Sequence, residues 1–248
     1  TAFKVSGIMH IIAVSGLHVT ILFTLINLLC LKRRWLVALL GVPTLFLFAA
    51  VAGFTPSITR ACIMQCLMIV AMLLNREYDG PTELAFASLA MLVVNPLVIT
   101  SVSFQLSVGC MIGIFLFQKR IYDWLCGKLG CEKHHRMVKL KRWFSGSVSV
   151  TLSAISLTTP LSAYYFGAVS LVGVFTNLLT LWAVSFAFYG IITVCVVGTF
   201  SVSAGLLLGQ IVSLLIRYIL LAAKTLAAVP LAAVYTRSVY IVAWLVFV

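Results

Sequence analysis

Acid is the scarcest component of this chain. Among 248 residues there are 5 Asp and Glu, and charged residues of both signs make up only 9%. Soluble domains carry about 25% charged residues, so a free-standing soluble domain is excluded. The acid that comes nearest to an apolar run, Glu83, sits at a helix start. This argues against proton-coupled transport through a carboxylate buried at mid-membrane. Nucleotide and metalloprotease signatures are absent too: there is no P-loop, no G-x-G-x-x-G after a strand and no H-E-x-x-H pair. Period-2 alternation is sparse, which argues against a transmembrane barrel. No internal repeat, low-complexity tract or signal-peptide pattern is present. The 7 cysteines are scattered, mostly within apolar runs, where a thiol acts as a small packing group. Cys126, Cys131, His134 and His135 are the nearest thing to a metal cluster. Their C-x4-C-x2-H-H spacing is not a standard zinc pattern, so neither a metal nor a cofactor is expected.

What the chain has in abundance is apolar sequence, 63% of residues. A run of about 20 apolar residues spans a bilayer as a helix. Candidate spans are 8–31, 35–54, 58–75, 83–99, 104–118, 145–166, 168–198 and 203–231, with an incomplete run at 239–248. The expected fold is all-α, a polytopic transmembrane helical domain of about 7–9 membrane segments, including amphipathic or re-entrant helices. The last run is too short to span, so the chain reads as a fragment of a longer protein. Breaks carry turn or charge signals: Lys32-Arg33-Arg34, Phe54-Thr55-Pro56, Asn75 to Pro81, and Asn95-Pro96.

Lys and Arg number 17, giving a net charge of +12. Two causes are open: cytoplasmic loops enriched in cations, and a basic mouth that draws polyanions such as nucleic acid. The longest polar segment, 118–143, holds Lys119, Arg120, Lys128, Lys133, Arg136, Lys139, Lys141 and Arg142. The positive-inside rule places it in the cytoplasm. Counting spans backwards then puts Arg76 and Lys32–Arg34 on the same side. The N-terminus, Thr55–Ser57 and Thr100–Ser103 fall outside.

Polar groups inside spans are costly in hydrocarbon and face protein or a water-filled path. The first span opens with His10-Ile11-Ile12-Ala13-Val14-Ser15-Gly16-Leu17-His18-Val19. Ser15 and His18 share one helical face, and Gly16 permits a kink or close packing. Arg60 stands at the outer start of the third span, Gln105 and Ser107 open the fifth, and Asn177 lies near the start of the seventh. By this topology Ser15, His18, Arg60, Gln105 and Asn177 share the outer half to middle of the membrane. One polar site and separate packing hydrogen bonds both remain open. Residues 168–198 exceed one span, and a re-entrant or broken helix is expected near Asn177. Two helical stripes stand out. Ser145, Ser149, Ser153, Ser156 and Thr159 suit helix–helix hydrogen bonding or a pore wall. Ser203, Gln210, Ser213, Arg217 and Lys224 suit the interface plane or an aqueous cavity. Tyr164, Tyr165 and Phe166 suit a membrane-interface belt or base stacking. Ser15 beside His18 invites comparison with an intramembrane serine hydrolase, but an i, i+3 pair leaves little room for substrate and an oxyanion hole. A small-molecule exporter is a further alternative.

The stretch His10–Val19 resembles the opening of the competence domain in the ComEC family, the inner-membrane DNA-uptake channels of natural transformation. Ser57-Ile58-Thr59-Arg60-Ala61 and Asn75-Arg76-Glu77-Tyr78-Asp79 are similar to later family segments. So are Asn95-Pro96 with Ser103-Phe104-Gln105-Leu106-Ser107, Thr159-Pro160 with Tyr165-Phe166-Gly167, and Thr176-Asn177-Leu178-Leu179. Where the family often places a proline after N-L-L, this chain has Leu181-Trp182-Ala183. The resemblance implies one competence-type channel domain over 1–248 in the bacterial inner membrane, not an enzyme. It would pass single-stranded DNA along a path shaped by Ser15, His18, Arg60, Gln105, Ser107, Asn177, Gln210, Arg217 and Lys224. It implies as partners single-stranded DNA, membrane lipid, other competence-machinery proteins and an ATP-driven helicase, with a homo-oligomer left open.

Overall fold

The computed structural model describes residues 16–31, 33–129, 138–170, 173–227 and 233–235. Eight α-helices account for nearly all of them. They are α1 (Gly16–Leu29), α2 (Arg34–Val51), α3 (Pro56–Leu73), α4 (Gly80–Val94), α5 (Val102–Leu129), α6 (Val138–Phe166), α7 (Gly173–Phe200) and α8 (Val202–Ala227). A single 3-10 turn, Pro96–Thr100, separates α4 from α5. Two three-residue strands, β1 (Ala168–Ser170) and β2 (Ala233–Tyr235), pair antiparallel with Val169 opposite Val234.

The helix ends follow from local chemistry. Asn75 takes a left-handed conformation (φ 52°) after α3, and the Arg76 N–H reaches back to the Ala71 carbonyl at 3.0 Å. This six-to-one bond satisfies a carbonyl that the last helical turn leaves free. The Arg34 Nη1 donates to the Met72 carbonyl at 3.3 Å, placing a cation at the negative end of α3. Pro56 opens α3, where its missing N–H costs nothing. At α4 the Asp79 carboxylate accepts from the Thr82 N–H at 3.2 Å, an N-cap ahead of an apolar run.

α2, α3, α5, α7 and α8 are each long and apolar enough to cross a membrane, and α1 and α4 are shorter apolar helices. α6 is 29 residues long, but its many hydroxyls and basic start make it less apolar than these five. The distribution of side chains is that of a membrane protein. Ser145, Ser149, Ser153, Thr176 and Thr180 are fully buried, whereas Phe46, Leu47, Leu206, Leu207 and Leu214 are exposed. Water would enforce the reverse; hydrocarbon does not, because large apolar side chains lose nothing by facing lipid.

Two elements depart from expectation. α7 runs without a break through Asn177. The stretch from Asn177 to Ala183 holds no Pro or Gly, and those are what would interrupt a helix there. The irregular backbone lies earlier, at Gly167 (φ 61°) and β1. The described parts of the basic segment are helical. α5 continues to Leu129 and α6 starts at Val138, since Lys and Arg are good helix formers. The Lys128 Nζ lies 4.3 Å from the centre of the Trp124 ring.

The chain forms two compact units. One comprises 1–8, 105–179 and 223–248; the other comprises 9–104 and 180–222. In the second, α3 is the hub. It packs on α1, α2 and α4, with Val19, Phe23, Leu45, Ile58 and Ile69 in the core.

Candidate functional site

The second unit holds Arg60 and His18. Arg60 is 6% exposed, one turn into α3. Gly16 is what lets α1 approach it. A Cβ added at Gly16 would lie 3.3 Å from the Arg60 Nη2 and 3.3 Å from the Ala61 Cβ. A guanidinium is thus enclosed by the glycine of one helix and the body of another. A desolvated cation of this kind attracts anions more strongly than one in water.

His18 stands two residues after Gly16, about 200° round the same helix, so it serves a different neighbour. Its ring meets Phe188 of α7 edge-on, with centroids 5.2 Å apart, and Phe188 in turn meets Phe48 of α2 at 6.4 Å. Gly16 and His18 therefore meet different neighbours. Gly16 serves α3, and His18 serves an aromatic seam joining α1, α2 and α7. Ser15 and His10 lie outside the described residues.

The first unit holds Gln105, Ser107 and Asn177. Gln105, at the start of α5, accepts a hydrogen bond from the Tyr165 hydroxyl at 2.6 Å. This ties the start of α5 to the end of α6. The Tyr165 ring meets Tyr164 edge-on at 5.0 Å. Ser107 is half-buried two residues after Gln105. The Asn177 Oδ1 is buried without a hydrogen-bond partner, beside the fully buried Thr176 and Thr180.

Between these ends, α5 and α6 cross closely. A Cβ on Gly113 would run into the Ser153 carbonyl oxygen, and one on Gly109 would meet the Leu161 Cδ1 at 3.3 Å. The serine stripe belongs to this crossing. Ser149 donates to the Gly146 carbonyl at 2.9 Å, Ser153 to Ser149 at 2.6 Å and Ser156 to Ser153 at 2.7 Å. Ser149, Ser153 and Ser156, bonded back to their own helix, leave a small, self-satisfied surface on which another helix can sit, while the Ser145 hydroxyl is buried without a partner among the described residues. In this unit the stripe is therefore a packing surface.

The polar stripe of α8 behaves differently. Gly205, Val212 and Ala223 are buried, whereas Gln210, Arg217 and Lys224 are exposed. The two sets lie about 125° apart round the helix. A Cβ on Gly190 of α7 would come within 2.6 Å of the Val212 Cγ2, which identifies the neighbour on the buried side. The stripe faces away from that contact.

The expected site residues thus divide. Arg60 and His18 lie in one unit with Gln210 and Arg217; Gln105, Ser107, Asn177 and Lys224 lie in the other. Among the described residues no three His, Cys, Asp or Glu side chains gather as a metal site would need. Cys131, His134 and His135 lie outside the described residues. Sequence reasoning missed three partners: Tyr165 for Gln105, Phe188 for His18, and the α5–α6 crossing. Of these only the crossing carries a sequence signal, the Gly109-x-x-x-Gly113 spacing of close membrane-helix pairs.

The family model described as competence protein matches residues 1–248. The chain belongs to the competence protein family. It is 28% identical over 122 residues to ComE operon protein 3 of Bacillus subtilis (strain 168), covering 47% of this chain and 15% of that protein. It is 31% identical over 160 residues to an uncharacterized protein of Aquifex aeolicus (strain VF5), covering 64% of this chain and 37% of that one. The competence chain therefore spans well under half of either relative. No solved structure matches it. The family and the apolar helices together make this a multi-pass membrane protein of the competence protein family.

Proposed function

We propose that residues 1–248 form one channel domain that passes a single strand of transforming DNA across the bacterial inner membrane. In this reading the segment 118–143 lies in the cytoplasm and the starts of α1 and α3 lie outside. The observation that carries the reading is Arg60, a buried guanidinium against the Gly16 face of α1 within a competence-family chain. Charge supports it. No Asp or Glu follows Glu132, so the whole of α6, α7 and α8 offers no carboxylate to repel phosphates. A strand in transit needs cationic, hydroxyl and amide groups on a hydrated path. Arg60, Gln105, Ser107, Asn177, Gln210, Arg217 and Lys224 supply them, with Ser15 and His18 shaping the entrance. Membrane lipid surrounds the domain, and other competence proteins and an ATP-driven helicase supply the direction of movement.

Arg60→Ala, in a stably expressed full-length protein, is expected to lower transformation at least tenfold while leaving DNA binding at the cell surface intact. Undiminished transformation sinks the role of Arg60. The domain is read as a conduit and not as an enzyme. A serine-directed fluorophosphonate probe should leave Ser15 unlabelled, and labelling there would favour a hydrolase.

A further inference from the structure

We propose that Tyr164 and Tyr165, braced by Gln105, form a stacking platform for the bases of single-stranded DNA at one rim of the first unit. The inference rests on the channel reading and adds to it a part of the strand, the base, that the cationic groups do not recognise. Three observations converge on it. Tyr164 is 71% exposed at the end of α6, so its ring face is open. Tyr165 is held in place. Its ring packs edge-on against Tyr164, with centroids 5.0 Å apart and planes at 79°, and its hydroxyl donates to the Gln105 Oε1 at 2.6 Å. A belt tyrosine sends its hydroxyl to headgroups or water; the Tyr165 hydroxyl is instead bonded to Gln105, which fixes the ring against which the exposed Tyr164 rests. The third observation is the backbone. α6 stops at Phe166, Gly167 turns with φ 61°, and β1 follows. Among the described residues β1 pairs with β2 alone, and the open edge of a two-stranded sheet is not tolerated against lipid tails, because its outward N–H and C=O groups would lack partners. The pair therefore stands at a boundary with water or protein, where a nucleotide can reach it.

Every base has a π-face, so stacking on tyrosine binds DNA without sequence preference, as a conduit for arbitrary sequence requires. The absence of any acidic residue after Glu132 removes the nearest source of repulsion for the strand's phosphates.

The test uses the full-length protein in nanodiscs and two fluorescent probes of equal length, oligo(dT) and an abasic strand, read by anisotropy. Wild type should bind oligo(dT) more tightly than the abasic strand. Tyr164→Ala should weaken oligo(dT) binding about 5- to 150-fold, the range that corresponds to one lost stack, and leave the abasic strand unaffected. Tyr164→Trp should restore binding, and Tyr165→Phe, which keeps the ring and cuts the tie to Gln105, should give a smaller loss. If Tyr164→Ala binds oligo(dT) like wild type, or weakens both probes equally, the platform is refuted while the channel reading stands. An effect of Tyr164→Ala on thermal stability alone would make the pair a membrane belt and also refute it. If wild type binds neither probe, both the platform and the channel reading fall.

Discussion

The α5–α6 crossing makes a prediction whose size follows from three glycines. All three lie on α5, so helix propensity is common to them and only surroundings differ. Alanine is favoured over glycine in a helix interior by about 1 kcal/mol. At Gly127 an added Cβ meets nothing within 4 Å, so Gly127→Ala should keep that gain. At Gly109 the Cβ meets the tip of Leu161 at 3.3 Å. A leucine terminus can turn aside by a few tenths of an ångström, so Gly109→Ala should be close to neutral. At Gly113 the obstacle is the Ser153 carbonyl oxygen, which is backbone and cannot rotate away. The helices must part, giving up contacts along the serine stripe. Overpacking of this kind costs about 1–3 kcal/mol, or a fall of several degrees in melting temperature at about 2–4 °C per kcal/mol for a chain of this size. The assay is thermal unfolding of the detergent-solubilised full-length protein, followed by fluorescence-detected size exclusion. The expected order of stability is Gly127→Ala, Gly109→Ala, Gly113→Ala. Equal stability of the first and last would mean that α5 and α6 do not meet at Gly113, and the reading of the serine stripe as packing would go with it.

Two further outcomes are expected. Asp79→Ala removes the cap on the Thr82 N–H and should cost about 0.5–2 kcal/mol; Asp79→Ser, which can cap in the same way, should recover most of it in the same melt. A double-mutant cycle on His18→Ala and Phe188→Ala should return a coupling of about 0.5–1.5 kcal/mol, as an edge-on ring pair does. Strict additivity of the two would show that the rings are not in contact.

The class of this protein was legible without coordinates. Scarcity of acid and long apolar runs leave a chain no way to satisfy its backbone except helices in a membrane, and the span limits near Arg34, Pro56 and Val202 follow from charges and turn residues. The family-like segments around Arg60, Gln105 and Asn177 were visible in the same way. What the sequence could not settle was the direction of each polar side chain. Ser15, Gly16 and His18 are neighbours in sequence, yet Gly16 admits Arg60 and His18 reaches Phe188. A period of 3.6 residues fixes angles around one helix, but not which helix stands at each angle. The serines of α6 and the polar residues of α8 looked alike as stripes. Tertiary packing separated them, burying the first against Gly113 and leaving the second exposed. In hydrocarbon the apolar pattern exerts little orienting force, because lipid accepts leucine as readily as protein does. Orientation falls instead to small residues and hydrogen bonds between distant helices, such as Tyr165 to Gln105, and those pairings exist only once the chain is folded.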